Sequence, residues 1–356
     1  MSAFRAVGDR ITGPAIARTM AITEPLLRSG AGASAIRAGI EYEAFVRDQQ
    51  QRCSTVLSLA TGRQTERQRW ARSERAHRRR LAPDRPMATS GRPHVFWHGL
   101  DRVGMHERPL VVLVNGWTAS GLLWPASFVE QLEGSFDVVR VDNRGCGYSR
   151  TAPAPFTMAQ LADDLRDVLR AIGARSATIV GLSMGGMIAQ ELAIRHPEMV
   201  DRLVLCGTRP PPPAGFAPPR SVLDAMMATP GKRENRGAFF ERTWGAVVGS
   251  DFREQHRDGM HELIDRVRER PTPRAGVINQ LRAIASWSGV SRLARITAPT
   301  VVLHGSDDPL VPVGNGMRLA QLIPDATYVE LPGVGHLVPF EAPTALLAAI
   351  GRPTTV

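Results

Sequence analysis

The sequence predicts an α/β fold, with a mostly parallel sheet covered by helices. Three observations carry that expectation. From about residue 94 onward, short apolar runs alternate with stretches of helical periodicity. The runs are apolar at successive positions, as in strands buried on both faces: 109–114 (PLVVLV), 136–141, 177–180 and 299–304 (PTVVLH). The run at 177–180 passes through Gly181-Leu182-Ser183-Met184-Gly185 into a helical stretch at 187–194. A serine at such a turn is held in strained backbone geometry with its hydroxyl exposed, and glycines two residues to either side let strand and helix close on it.

The chain of 356 residues is long enough for one large α/β domain plus an appendage, and 43% hydrophobic residues allow a sizeable core. Its formal net charge is +10, and nearly all of it lies in residues 1–93, where 17 Arg face 8 acids. Lys232 is the only lysine, which reads as coding bias. Cys53, Cys146 and Cys206 include no C-x-x-C, which argues against a disulfide framework and fits a reducing compartment. The start lacks an apolar signal core, and no run approaches the roughly 18 apolar residues of a spanning helix. The expected location is the cytoplasm, with contact at a membrane or granule surface left open.

Taken in order, residues 1–93 are a basic, mostly helical N-terminal extension. Residues 33–59 read as a helix with Ile36, Ile40, Ala44 and Val46 on one side. From Arg63 to Arg80, eight arginines stand against Glu66 and Glu74. The plain reading is a solvated helix or tether. The functional one is an arm that meets an anionic surface. No specific nucleic-acid motif accompanies it. Residues 82–93, with three prolines, read as a linker.

A first strand at 94–98 carries His94 and His98 in an extended pattern that does not suit a metal site. The strand at 136–141 ends in Asp142. Thr157 caps a helix with Leu161, Leu165, Val168, Leu169 and Ile172 on one face. A strand at 202–206 follows the serine helix. After PPPPAGFAPP comes a mostly helical insert, 214–296, and strands at 299–304 and 326–331 close the chain. The core is then 94–213 together with 297–356.

A serine hydroxyl needs a base, and the base needs an orienting carboxylate. In a parallel sheet such groups gather at the carboxyl ends of strands. Asp307 and Asp308 follow one strand and His336 follows the last, in the order Ser, Asp, His. His196 and His304 read as structural, His256 and His261 have no ligand-like partners, and Cys146 reads as packing. No metal or cofactor is expected.

These residues resemble the α/β-hydrolase superfamily over about 94–352. Asp142-Asn143-Arg144-Gly145-Cys146-Gly147-Tyr148-Ser149 resembles its D-x-R-G-x-G-x-S loop, and 181–185 its nucleophile elbow. Gly305-Ser306-Asp307-Asp308 with Pro312 resembles its acid segment, and Gly335-His336 with Glu341 and Pro343 its histidine loop. The resemblance implies Ser183 as nucleophile, His336 as base and Asp308, favoured over Asp307 by spacing, as its orienting acid. It implies an oxyanion hole from the backbone N–H groups of Trp117 and Met184. Asn115 departs from the His that usually precedes Gly116. The insert stands where the family carries a helical lid, and Phe216, Met226, Met227, Phe239, Phe240, Trp244 and Trp287 make it apolar. Trp117, Met227, Phe240, Trp244 and Trp287 are the expected pocket residues.

The resemblance implies hydrolysis of a carboxylic ester of an apolar acyl or hydroxyacyl substrate through an acyl-enzyme. Serine at the elbow argues against the dehalogenases and epoxide hydrolases of this fold, which use a carboxylate there. Lactonases, thioesterases, C–C hydrolases and cofactor-free perhydrolases share the triad. Asn115-Gly116, with DDPLVP at 307–312 and MRLAQLIP at 317–324, is similar to intracellular medium-chain polyhydroxyalkanoate depolymerases. Two readings of other classes are a non-catalytic ligand binder of this fold and a basic-arm adaptor that tethers a surface.

Overall fold

The computed structural model describes residues 95–99, 108–150 and 155–351. The expected helix at 33–59, the basic stretch from Arg63 to Arg80, the linker, Cys53 and His94 lie outside the described residues.

The described residues form one seven-stranded sheet. Its strands are β1 (Phe96–Gly99), β2 (Leu110–Val114), β3 (Asp137–Asp142), β4 (Ala177–Leu182), β5 (Val200–Cys206), β6 (Thr300–Gly305) and β7 (Thr327–Leu331). Their order is β1-β3-β2-β4-β5-β6-β7. Only the edge pair β1–β3 is antiparallel. Every residue of β2 is buried, as its unbroken apolar run requires. The serine strand runs two residues further than its apolar run, because Gly181 and Leu182 still pair with Leu205 and Cys206.

Helices α1 (Ala126–Glu133), α2 (Met158–Ala171) and α3 (Met184–Arg195) follow β2, β3 and β4. Thr157 and Gln160 close a reciprocal capping box at the start of α2, satisfying two orphan N–H groups. The predicted face of Leu161, Leu165, Val168, Leu169 and Ile172 is buried. Helix α3 buries nearly every side chain from Met184 to Ile194, so it is a core helix rather than an amphipathic cover. Between β5 and β6 lie α4 (Arg220–Met227), α5 (Arg236–Gly245), α6 (Ser250–Gln255), α7 (Arg257–Glu269) and α8 (Arg274–Ala285). After β6 come α9 (Gly314–Leu322), α10 (Val338–Glu341) and α11 (Pro343–Ile350).

Two apolar layers cover the sheet. Helices α2 and α3 pack in one, and α1 and α11 in the other. The chain runs from β2 to β3 in one direction and reaches β4 on the other side of β2. The helices after β2 and β4 therefore leave toward opposite faces. That opens a crevice at the carboxyl ends of β2 and β4, where an open α/β sheet binds its ligands. Val114 pairs with Gly181, so the loop starting at Asn115 and the turn at Ser183 leave the sheet side by side. Among the described residues, no helix is long and apolar enough to cross a membrane.

Candidate active site

Ser183 sits between β4 and α3 at φ 57°, ψ −120°. A non-glycine residue there costs on the order of 1–3 kcal/mol and persists only where its surroundings hold it. Here the Ser183 N–H donates to the Cys206 carbonyl (2.9 Å), and the Thr208 hydroxyl donates to the Ser183 carbonyl (2.6 Å). Net contributions of about 1 kcal/mol per bond offset strain of that size. A side-chain carbon on Gly185 would run into the Val114 carbonyl, so glycine alone permits the sharp reversal. Met184 is the first residue of α3, where helix N–H groups have no acceptor within the helix and the dipole is positive.

The loop after β2 lies against the serine: a side-chain carbon on Gly116 would come 2.9 Å from Ser183 Cβ. Asn115 closes this loop, its amide N–H donating to the Ser120 carbonyl. Asn143, in the loop after β3, donates to the Asn115 carbonyl (2.8 Å). Asp142 is fully buried and accepts from the Gly121 (2.6 Å) and Tyr148 (2.7 Å) N–H groups. The D-N-R-G-C-G-Y-S segment is therefore a buttress for the loop carrying Trp117. Arg144 fastens the same segment to Asp164 of α2.

On the other side of the serine, His336 Nδ1 is 2.8 Å from Asp308 Oδ2. Asp308 Oδ1 accepts from the Leu310 and Val311 N–H groups at 2.9 and 2.8 Å. Burial pushes the Asp308 pKa up, but the charge and hydrogen bonds of His336 and His304 outweigh it, and the carboxyl titrates below the ordinary aspartate value. Asp307 is exposed, with its carboxylate accepting from its neighbour Ser306, so the histidine's partner is Asp308. Gly207 connects the two sides. It lies between Cys206 and Thr208, both bonded to Ser183. A side-chain carbon on it would come 3.2 Å from both Asp308 Oδ2 and His336 Nδ1.

The histidine loop has its own clamp. The Glu341 carboxylate accepts from the N–H groups of Gly335 (2.7 Å), Leu337 (2.9 Å) and Gly249 (2.8 Å). The His336 N–H donates to the Val247 carbonyl (2.8 Å). Burial pushes the Glu341 pKa up, and the three N–H donors oppose it.

The expected pocket residues separate. Trp117 is buried, with its indole N–H donated to the Val277 carbonyl of α8 (2.9 Å). Met227 is half-buried against the α2–α3 layer, whereas Phe240 and Trp244 pack with the other layer. Met226 packs against both layers. Trp287 is not brought to this place. Its indole N–H donates to Glu191 (3.1 Å), which Arg292 also grips through Nη1 and Nη2. Glu191 lies about 12 Å along α3 from Ser183 by helical rise. A buried carboxylate needs such donors, and that need takes up Trp287.

His304 is fully buried, with Nε2 2.8 Å from the Val311 carbonyl and 3.5 Å from Asp308. Neither this contact nor the Gln280 amide oxygen on the Thr118 N–H follows from residue type alone. The spacing of His304 and Asp308 at i and i+4 across a strand end was the one available signal. Gln280 gave none. Among the described residues, no three or more His, Cys, Asp or Glu side chains converge as metal ligands would.

The alpha/beta hydrolase fold family matches residues 109–343. The chain is 32% identical over 233 residues to a poly(3-hydroxyalkanoate) depolymerase of Ectopseudomonas oleovorans, covering 65% of this chain and 79% of that one. It is 28% identical over 265 residues to RutD of Caulobacter sp. (strain K31), provisionally named a carbamate hydrolase, covering 73% of this chain and 96% of that one. The enol-lactonase of Burkholderia xenovorans LB400 superposes with a TM-score of 0.59 at 26% identity, covering 71% of this chain and 93% of that one. The chain is an enzyme of the alpha/beta hydrolase fold family.

Proposed function

We propose that the protein hydrolyses a carboxylic ester of an apolar acyl or hydroxyacyl chain through an acyl-enzyme on Ser183. The observation that carries this reading is the 2.8 Å contact of His336 Nδ1 with a buried carboxylate, packed against Gly207, whose two chain neighbours both bond to a serine held at positive φ. A carboxylate on Nδ1 leaves Nε2 as the basic nitrogen. His336 takes the Ser183 proton as Oγ attacks the ester carbonyl. The tetrahedral oxyanion is received by the Trp117 and Met184 N–H groups. The ester C–O bond breaks and the alcohol leaves with the proton from His336. Water, deprotonated by the same histidine, then attacks the acyl-enzyme and releases the acid and the free serine.

The apolar insert side chains Met226, Met227, Phe240 and Trp244 favour a hydrocarbon chain over a charged one. The depolymerase likeness favours a hydroxyacyl ester, and the basic stretch from Arg63 to Arg80 would hold the enzyme at an anionic granule or membrane surface inside the cell. Hydrolysis of p-nitrophenyl esters from C2 to C16, beside 3-hydroxyacyl esters, a lactone, a thioester and a carbamate, tests the substrate class. Turnover rising from C2 toward medium chains is expected. Turnover confined to the carbamate or the thioester would overturn it.

A further inference from the structure

The insert reaches into the machinery beneath it. Its helix α8 and the turn before it make three hydrogen bonds to the loop after β2. The Thr118 N–H donates to Gln280 Oε1 (2.9 Å), the Thr272 hydroxyl donates to the Thr118 carbonyl (2.7 Å), and the Trp117 indole donates to the Val277 carbonyl (2.9 Å). Gln280 is fully buried, and its amide N–H donates to the Arg144 carbonyl (3.0 Å) in the loop after β3. One side chain thus joins the loop after β2, which lies against the serine, to the loop after β3 that buttresses it.

The seat is close. A side-chain carbon on Gly276 would collide with the Gly145 carbonyl, and one on Gly145 would come 3.1 Å from the Gly276 Cα. Thr118 stands at φ 66°, a region that costs a β-branched residue about 1 kcal/mol or more. The remaining backbone closure of this turn is the 3.3 Å bond from the Ala119 N–H to the Gly116 carbonyl. Without the Gln280 amide, the Thr118 N–H is left under the insert with no acceptor, and relief comes by rotating the 117–118 segment away from its strained conformation.

We propose that Gln280 is a positioning residue for the oxyanion hole: acting through Thr118, it fixes the direction of the Trp117 backbone N–H. The inference rests on the acyl-enzyme reading above. Its consequence is that the insert cannot lift as a free lid without dismantling the oxyanion site. The site is assembled only with α8 seated, and substrate must enter beside α8 rather than beneath it.

The test is Gln280→Met, which keeps volume and removes both amide functions, with Thr272→Val as the milder variant. The readouts are kcat and KM on the best p-nitrophenyl ester and the inhibition constant of a trifluoromethyl ketone of the same chain length. A lost oxyanion donor costs about 100-fold or more, and a misdirected one less. Gln280→Met is expected to lower kcat about 10- to 100-fold with KM within about 3-fold, and to weaken the ketone in parallel. Thr272→Val should show the same split at several-fold, and it carries the test if Gln280→Met does not fold. Folded variants with unchanged kcat, or with loss confined to KM, would overturn the positioning role. Wild-type turnover and its loss in Ser183→Ala report separately on the acyl-enzyme reading.

Discussion

Ser183 and the two loops that serve it are held by different means. The serine is fixed chiefly by main chain: β4 pairing up to Leu182, the first turn of α3, and its N–H on the Cys206 carbonyl, with the Thr208 hydroxyl on the Ser183 carbonyl as the side-chain addition. The histidine loop and the loop after β2 depend on polar side chains, Glu341 from the next turn of chain and Gln280 from the insert among them, with the insert contributing at both places. Main-chain anchorage needs particular residues at particular spacings, chiefly glycines that allow close approach. Side-chain anchorage needs only one carboxylate or amide that happens to reach. The first is therefore robust and periodic, and the second is a point where one substitution removes the support.

The contrast can be broken from either side. The largest effect is expected at the serine. Ser183→Ala should lower kcat by about 10⁵-fold or more while the fold stays intact, because no side-chain bond of Ser183 supports the turn. Ester turnover and a thermal melt check both halves, and retained turnover would remove the serine from the chemistry.

Next comes the carboxylate. Asp308→Asn should lower kcat by about 10⁴-fold, since an amide at that place favours the wrong histidine tautomer. It should also change acid stability. The folded-state pKa of Asp308 lies below its ordinary value, so its stabilising contribution is complete above the ordinary aspartate value. It is lost as the pH falls through the lowered value. Wild type should therefore lose stability over that acid interval, and Asp308→Asn should be flatter there. Urea unfolding from pH 2 to 6 reads the difference, and parallel curves would mean that the carboxylate gains nothing on folding.

The smallest effect is expected at the clamp. Glu341→Gln keeps an acceptor but offers N–H groups toward donors at Gly249, Gly335 and Leu337. It should cost about 1–3 kcal/mol of stability and lower kcat about 10-fold, with KM little changed. An unfolding titration beside steady-state kinetics would show it. A variant as stable and active as wild type would mean that the main-chain bond from His336 to Val247 suffices.

The same division explains how much could be read in advance. The sheet was legible because two-sided burial forces apolar runs, and the N-cap at Thr157 because orphan helix N–H groups need a side-chain oxygen. Ser183, Asp308 and His336 were legible as types at strand ends in a known order. Spacing from Gly305 favoured Asp308 over Asp307 as the partner of His336, and the fold gives the physical reason, since Asp308 alone is buried within reach of the imidazole. Trp287 misled because an apolar ring in the insert says nothing about direction, and the buried Glu191 claims it. Asn115 read as an unexplained departure, and the fold shows it closing the loop after β2 onto Ser120. Glu341 stood out only through the histidine-loop resemblance, and Gln280 acts through contacts across more than 130 residues that no periodicity records.

The most direct measurement is to treat the folded protein with one equivalent of a fluorophosphonate and locate the adduct by peptide mass spectrometry, with Ser183→Ala in parallel. A single adduct on Ser183, absent from the variant and matched by loss of ester turnover, is the predicted result. An unlabelled wild type, or an adduct elsewhere with turnover surviving in Ser183→Ala, would contradict the assignment of the nucleophile and the oxyanion geometry built around it.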